Sequence, residues 1–297
     1  MRPDAIHDKM SRMISPLIRT MRSDDLEFAA QCTAGEGWST ETRQEFEGFL
    51  AYDAQGCFIA EWEGRKAGIC MAVCYKTKGF IGEMIVRPEF RAKGLGPRLF
   101  NQAIGYLQMQ GCRSISLDAV PRAASFYESV GFRRIGRSLR FSKRIVQRAA
   151  SPVRPMGTVE FDRVCSLDRR AFGADRMFFL QRRLMLYPEL ASTRLEDGEI
   201  TGYIFGRRTD AQLWAGPWWV ADDAEDPAAL LVEFGRGLQA SEISLGVLEN
   251  NTRAVTLVRE LGFEEKSAAS IRMVMGDAEE APGLSPDLWA IGSAAKG

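Results

Sequence analysis

The segment Gly82–Phe100, GEMIVRPEFRAKGLGPRLF, constrains this chain more than any other. Met84-Ile85-Val86 is a short apolar run, which suits a buried strand. Arg87-Pro88-Glu89-Phe90 interrupts it, because proline cannot extend the ladder and holds its predecessor extended. Arg91-Ala92-Lys93-Gly94-Leu95-Gly96 is a glycine-rich turn, and a helix is expected from Pro97 to Met109, proline being tolerated in a first turn. A strand, a glycine-rich turn and a helix N-terminus together form an anion site. Turn amides converge, glycine lets oxygens approach the backbone, and the helix dipole favours negative charge. Arg91, Lys93 and Arg98 add positive charge, so phosphate or pyrophosphate is the natural guest. The two commoner phosphate loops do not match: there is no G-x-x-x-x-G-K run, and this G-x-G lacks its third glycine.

At 297 residues the chain suits two domains. Its composition, 45% hydrophobic and 26% charged with a formal net charge of +0, is ordinary for a globular protein. A neutral total argues against a nucleic-acid partner. No apolar run is long enough to span a bilayer, and the first residues carry no apolar signal core. The expected location is cytoplasmic, with no membrane partner. His7 is the sole histidine, so a Ser-His-Asp or Cys-His enzyme would depend on it. Cysteine and carboxylate spacings give no zinc pattern, and no metal is expected. The six cysteines, Cys32, Cys57, Cys70, Cys74, Cys112 and Cys165, form no C-x-x-C pair and read as reduced, buried thiols. Acid–base chemistry then falls to Glu, Asp, Tyr, Lys or Cys.

Taken in order, the chain opens with a tail over 1–14. An extended segment follows at Leu17-Ile18-Arg19, then a helix capped by Ser23 and a second helix opened by Ser39 or Thr40. Strands are expected over 56–62, 67–75 and 80–86, with a tight turn at 63–66. After the glycine-rich turn and its helix come a strand at Ser114–Ala119, a helix at Arg122–Ser129 and a last strand at Arg134–Phe141. The order is β-α-α-β-β-β-α-β-α-β.

The R-x-x-G-x-G run directly after a strand, preceded by V-x-P-E-F-R, resembles the acyl-CoA pyrophosphate loop of the GNAT acetyltransferases, and the element order is similar to theirs. A second signature of that family has its counterpart in Ala124-Ser125-Phe126-Tyr127-Glu128-Ser129-Val130-Gly131-Phe132. The resemblance covers about residues 15–142. It implies acetyl-CoA as co-substrate and direct attack of an amine on the thioester. Arg91, Ala92, Lys93, Gly94, Leu95, Gly96 and Arg98 would hold the pyrophosphate, and Ile85 and Val86 would lie beside the thioester. Tyr127 would contact the donor and protonate the leaving sulfur; its plain alternative is a packing tyrosine. Glu83 is the candidate base, against a surface glutamate, and Asp118 is a second candidate near the acceptor. Trp38, in a glycine-flanked turn, would contact substrate or simply pack. The family often carries asparagine seven residues before its tyrosine; Val120 stands there, so that contact is missing.

Residues 143–157 read as a basic, proline-containing linker. Beyond them the pattern repeats in weakened form. Arg194–Tyr203 reads as a hairpin, Ile243–Leu248 as the counterpart of Ser114–Ala119, and Asn251–Phe263 echoes the second signature with Val258 in place of the tyrosine. Where pyrophosphate would sit the chain carries Asp222, Asp223, Glu225 and Asp226, and like charge there is unfavourable. The expected organisation is therefore α/β (α+β), two tandem GNAT folds with mixed, mostly antiparallel central sheets flanked by helices: 15–142 active, 158–276 degenerate, and 277–297 a tail, peripheral unless Leu288, Trp289 and Ile291 dock on a domain. The resemblance implies an N-acetyltransferase acting on the primary amine of a small molecule. An acyl-CoA sensor without turnover, a longer acyl donor, a protein N-terminus as acceptor and a homodimer all stay open.

Overall fold

The computed structural model describes residues 16–38, 41–145, 156–209, 211–236, 238, 240–266 and 269–297. His7, the helix start expected at Ser39 or Thr40, and most of 143–157 lie outside them. The chain divides into two compact units. One comprises the described residues up to Cys74 with Ile81–Gly111; the other comprises Tyr75–Phe80 with the described residues from Cys112 to Gly297.

The first unit is built on strands β1 (Leu17–Thr20), β2 (Cys57–Trp62), β3 (Arg65–Tyr75) and β4 (Lys78–Val86), hydrogen-bonded in that order. β1 and β2 are antiparallel with Ile18 opposite Ala60, and β2 and β3 are antiparallel with Cys57 opposite Met71. Helices α1 (Leu26–Gly35), α2 (Arg43–Asp53) and α3 (Leu95–Met109) complete it. α3 is amphipathic: Leu95, Leu99, Phe100, Ala103, Ile104 and Leu107 are buried, at the spacing that lines one helical face. The α3 residue Tyr106 meets Phe58 of β2 edge-on at 6.0 Å.

Ser23 does not cap a helix. A 3₁₀ turn occupies Ser23–Asp25, and Asp25 reaches back to accept the Arg22 N–H at 2.8 Å. Asp25 also pairs with Arg19 and Lys66, both at 2.6 Å. Burial opposes its charge, but these partners prevail and hold the carboxyl below the usual carboxylate range.

The second unit contains β5 (Ser114–Ala119), α4 (Ala124–Ser129), β6 (Arg133–Arg144), α5 (Thr158–Phe172), α6 (Met177–Leu186), β7 (Ser192–Glu196), β8 (Glu199–Arg208), β9 (Gln212–Val220), α7 (Ala229–Glu233), β10 (Glu242–Leu248), α8 (Thr252–Glu260), β11 (Glu264–Glu265), β12 (Ser270–Gly276) and β13 (Leu288–Ala290). Its strand order is β5-β12-β6-β10-β9-β8-β7, with β11 on β6 and β13 on β9. The order interleaves the two sequence repeats. β12, from the second, lies between β5 and β6 of the first, and β6 pairs antiparallel with β10 along Ser138–Arg144. β6 therefore runs to Arg144, beyond the Phe141 expected for it, because β10 supplies a second partner.

Residues 277–297 are not peripheral. Leu288 and Ala290 pair with Trp219 and Trp218 of β9, the Val220 N–H donates to the Asp287 carbonyl at 3.0 Å, and the Ile291 N–H donates to Gly246 of β10 at 2.9 Å. The segment thus bridges β9 and β10 beyond the stretch Gln212–Ala215 over which they pair directly. Trp289 packs on the fully buried Trp218 at 5.2 Å, and both belong to the core. A Cβ at Gly216 would stand 2.2 Å from the Ile291 carbonyl, so only glycine admits the segment.

Asn251 caps α8 by accepting the Ala254 N–H at 3.0 Å and donates to the carbonyls of Pro286 at 2.7 Å and Leu288 at 3.2 Å. Asn251→Ala removes a cap and the hydrogen bonds to the carbonyls of Pro286 and of the buried Leu288, so denaturant unfolding is expected to show a loss of about 1–3 kcal/mol. An unchanged midpoint would show that the segment is held without it.

Candidate functional site

β4 does not run straight into the glycine-rich turn. Glu83, 5% exposed, has φ +50, the left-handed region that side-chain-bearing residues seldom occupy. Such a residue inside a strand is a bulge: it breaks the alternation and re-aims the residues beyond it. Opposite the end of β4, a Cβ at Gly68 of β3 would stand 2.5 Å from the Ile85 carbonyl, so glycine is required for the close approach. The Arg87 N–H donates to the Ala67 carbonyl at 2.9 Å, fixing where the strand ends.

Pro88–Phe90 then forms one 3₁₀ turn that buries Phe90. Ala92 has φ +62 and Gly94 φ +74, and two left-handed residues so close together curl the backbone into a concave turn. α3 begins at Leu95, two residues before the expected Pro97, because Gly94 in the left-handed region serves as its N-cap. No side chain caps this helix. Its first-turn amides, less the one that Pro97 lacks, therefore remain available as donors. Leu95 is buried while residues 91–94 are exposed, so the apolar contact of Leu95 anchors the turn and leaves its concave backbone facing solvent.

The cations are not equivalent. Arg87 pairs with Glu89 at 2.9 Å. Arg91 donates through Nε to the Val86 carbonyl at 2.9 Å and through Nη2 to Glu36 at 2.5 Å. Lys93 lies 4.9 Å from the Trp62 ring centre, and Arg98 donates to the Pro16 carbonyl at 3.5 Å. Among the described residues Lys93 and Arg98 pair with no carboxylate, so theirs is the uncompensated charge beside the helix start.

Sequence reasoning missed Glu36, although a lone acid between Gly35 and Gly37 was a visible signal. It joins the turn that carries the half-buried Trp38 to the Arg91 loop. Glu83, Ile85, Val86, Arg91–Gly96 and Arg98 thus lie on one continuous segment, with Trp38 two residues from a direct link to it.

The other two candidates belong to the second unit. Tyr127 on α4 is 8% exposed, with its ring 5.2 Å from Phe126 and 6.3 Å from Phe132. The Asp118 side chain is fully buried and clamped by Arg272 Nε at 2.6 Å and Arg140 Nη2 at 3.1 Å. Burial works against its charge, and the two guanidiniums overcome it, holding the pKa below the carboxylate range. A carboxylate so held is a poor proton acceptor; the structure gives Asp118 an ion-pairing role in place of that of a base.

The six cysteines are all free thiols. Burial pushes Cys32 and Cys57 up to about 12, which leaves both as thiols at neutral pH. Among the described residues no group of His, Cys, Asp and Glu is placed to hold a metal ion, and no helix is long and apolar enough to cross a membrane.

Comparison with known proteins matches residues 20–132 to the acetyltransferase (GNAT) family and residues 164–283 to a second acetyltransferase (GNAT) domain model. An uncharacterized N-acetyltransferase of Bacillus subtilis, YitH, is 26% identical over 221 residues, 73% of this chain and 76% of its own. A Pyrococcus horikoshii protein named as a candidate acetyltransferase superposes with a TM-score of 0.76 at 21% identity, over 95% of this chain and 96% of its own. A tandem GNAT protein from the clavulanic acid biosynthesis pathway superposes with a TM-score of 0.63 at 14% identity, over 88% and 98%. At these identities the structural matches speak for the fold alone.

Proposed function

The chain belongs to the GNAT acetyltransferase family, with two such domains in tandem, and from that premise we propose that it transfers an acetyl group from acetyl-CoA to the primary amine of a small-molecule acceptor. The observation that carries the reading is the uncapped start of α3 behind a turn with two left-handed residues and two cations that have no carboxylate partner among the described residues. Such a turn suits the pyrophosphate of a coenzyme. Arg91–Gly96 and Arg98 hold that group, and Ile85 and Val86, re-aimed by the bulge at Glu83, lie along the thioester arm.

In the proposed reaction the amine nitrogen attacks the thioester carbonyl carbon. A C–N bond forms and the C–S bond breaks. Tyr127 gives its proton to the departing sulfur, and the surplus proton on nitrogen leaves to Glu83 or to water. Trp38 contacts the acceptor. The second repeat takes no donor in this reading. Asp222 there is ion-paired with Arg253, and acids replace the cations of the first loop.

Titration calorimetry tests this: acetyl-CoA is expected to bind with a stoichiometry of one per chain. Two sites would contradict the degenerate second repeat, and no binding would remove the loop reading.

A further inference from the structure

Arg91, Lys93 and Arg98 carry the positive charge at the glycine-rich turn, and among the described residues only Arg91 of the three is paired with a carboxylate. Its guanidinium is held at two points. Nε–H donates to the Val86 carbonyl at 2.9 Å, and Nη2–H donates to Glu36 Oε1 at 2.5 Å. The first bond sets the guanidinium against the end of β4. The second neutralises part of its charge with an acid from a distant part of the chain. A carboxylate on one cation of a loop weakens that loop's hold on a diphosphate, so Glu36 acts against the proposed donor.

Glu36 stands where α1 ends. The N–H groups of Glu36 and Trp38 both donate back to the Thr33 carbonyl, at 3.1 Å and 2.9 Å, and Gly37 takes φ +79, a left-handed helix ending. A Cβ at Gly35 or at Gly37 meets no atom within 4 Å, so neither glycine is there to admit a close neighbour. Backbone bonds fix the reversal of the chain, and the Glu36 side chain ties it to the Arg91 loop. The Arg91 side chain is 48% exposed and that of Glu36 14%, so the guanidinium is the partner that a solute meets first. Trp38, two residues on, is half-buried. A carboxylate and an indole in one short turn are the two kinds of group that hold an ammonium ion.

A guanidinium carries its N–H groups in one plane, so a diphosphate oxygen on the outer edge of Arg91 shares that edge with Glu36. Two anions on one cation repel each other, and each weakens the other's hold. The coupling is reciprocal: as Glu36 weakens donor binding, the donor weakens the Glu36–Arg91 bond by the same factor.

We propose that Glu36 is an acceptor-binding residue that Arg91 masks until the donor arrives. The diphosphate draws the Arg91 guanidinium to itself, and the Glu36 carboxylate passes to a cationic group of the acceptor beside Trp38. A nitrogen held as ammonium has no lone pair with which to attack, so the group that Glu36 holds is a second cation and the favoured acceptor is a diamine. Donor binds first and amine second. The inference rests on the acetyl-transfer reading.

The test uses the full chain with acetyl-CoA, CoA, 1,4-diaminobutane and butylamine, by calorimetry and initial rates. Glu36→Gln is expected to bind acetyl-CoA about threefold more tightly than wild type, because Arg91 is no longer shared. The same change raises the KM for 1,4-diaminobutane about tenfold and leaves that for butylamine as it was. Arg91→Gln acts the other way: acetyl-CoA binds more weakly, and 1,4-diaminobutane binds without CoA as tightly as wild type binds it with CoA. A merely structural tie gives no such opposition, since its loss weakens donor and acceptor together. Glu36→Gln that weakens both, or changes neither, overturns the proposal. Equal binding of 1,4-diaminobutane by wild type with and without CoA overturns it too, and that comparison decides even where neither amine is acetylated. Wild type that binds no acetyl-CoA removes the loop reading itself, a different result from binding that Glu36→Gln leaves unchanged.

Discussion

Asp118→Asn is expected to cost about 3–5 kcal/mol of stability, among the largest effects of any single substitution in this chain. Asparagine keeps the shape of the side chain, so no cavity contributes. The change is one of charge: Arg272 and Arg140, bonded to the two carboxylate oxygens, lose the one negative group they share. Denaturant unfolding at neutral pH reads the loss directly. Acid gives an independent check. The folded-state pKa of Asp118 is depressed, so its contribution is fully present above the unfolded value, about pH 4, and is lost as pH falls through the lower folded value. Wild type and Asp118→Asn should therefore differ most at neutral pH and converge in strong acid. A constant difference down to low pH would show that the carboxylate charge is not the cause.

Gly94→Val is expected to weaken acetyl-CoA binding at least tenfold while leaving most of the fold standing. No heavy atom lies within 4 Å of a Cβ built at Gly94, so the side chain meets no neighbour. The strain is in the backbone: φ +74 is a conformation that a β-branched residue resists by roughly 1–2 kcal/mol or more. Relaxing it turns the amides of Leu95 and Gly96 away from the point on which the loop converges. Because the residue is exposed, the melting temperature should fall by only a few degrees. Donor affinity is measured by calorimetry and by KM. Gly94→Val binding acetyl-CoA as wild type does would mean that the donor lies elsewhere.

The legible and the hidden parts of this fold divide along sequence separation. The strand–turn–helix from Met84 to Met109 was readable because its determinants are neighbours: an apolar run, a proline, glycines and a helical period. Even there the helix begins at Leu95 and not at Pro97, since a left-handed glycine can cap without any side chain to announce it. The same blindness hid the bulge at Glu83, a residue type that gives no hint of positive φ. Ser23 looked like a cap by residue type, yet Asp25 supplies the hydrogen bond. The interleaving of β12 between β5 and β6 was invisible, because it pairs residues far apart in the chain and nothing local specifies a partner. Asp118 shows the consequence. Its position on a strand was legible, but Arg272, 154 residues away, was not, and with it went any way of telling a base from an ion-pairing carboxylate. For residues 277–297 the sequence leaves a peripheral tail and docking through Leu288, Trp289 and Ile291 both open, and the structure shows the docking. Their small residues and prolines suggest a loose end, whereas Gly216 and Asn251, distant in sequence, are shaped to receive them.

The central claim, that Arg91–Gly96 presents acetyl-CoA to an amine with Tyr127 as the acid, is tested most directly by thiol release from acetyl-CoA. Wild type and Tyr127→Phe would be assayed against a panel of primary amines, with acetyl-CoA affinity measured in parallel. The account predicts amine-dependent release by wild type, and release slowed about a hundredfold in Tyr127→Phe with acetyl-CoA affinity unchanged. Tight acetyl-CoA binding without release against any amine would contradict it and leave a protein that senses acyl-CoA but does not turn it over.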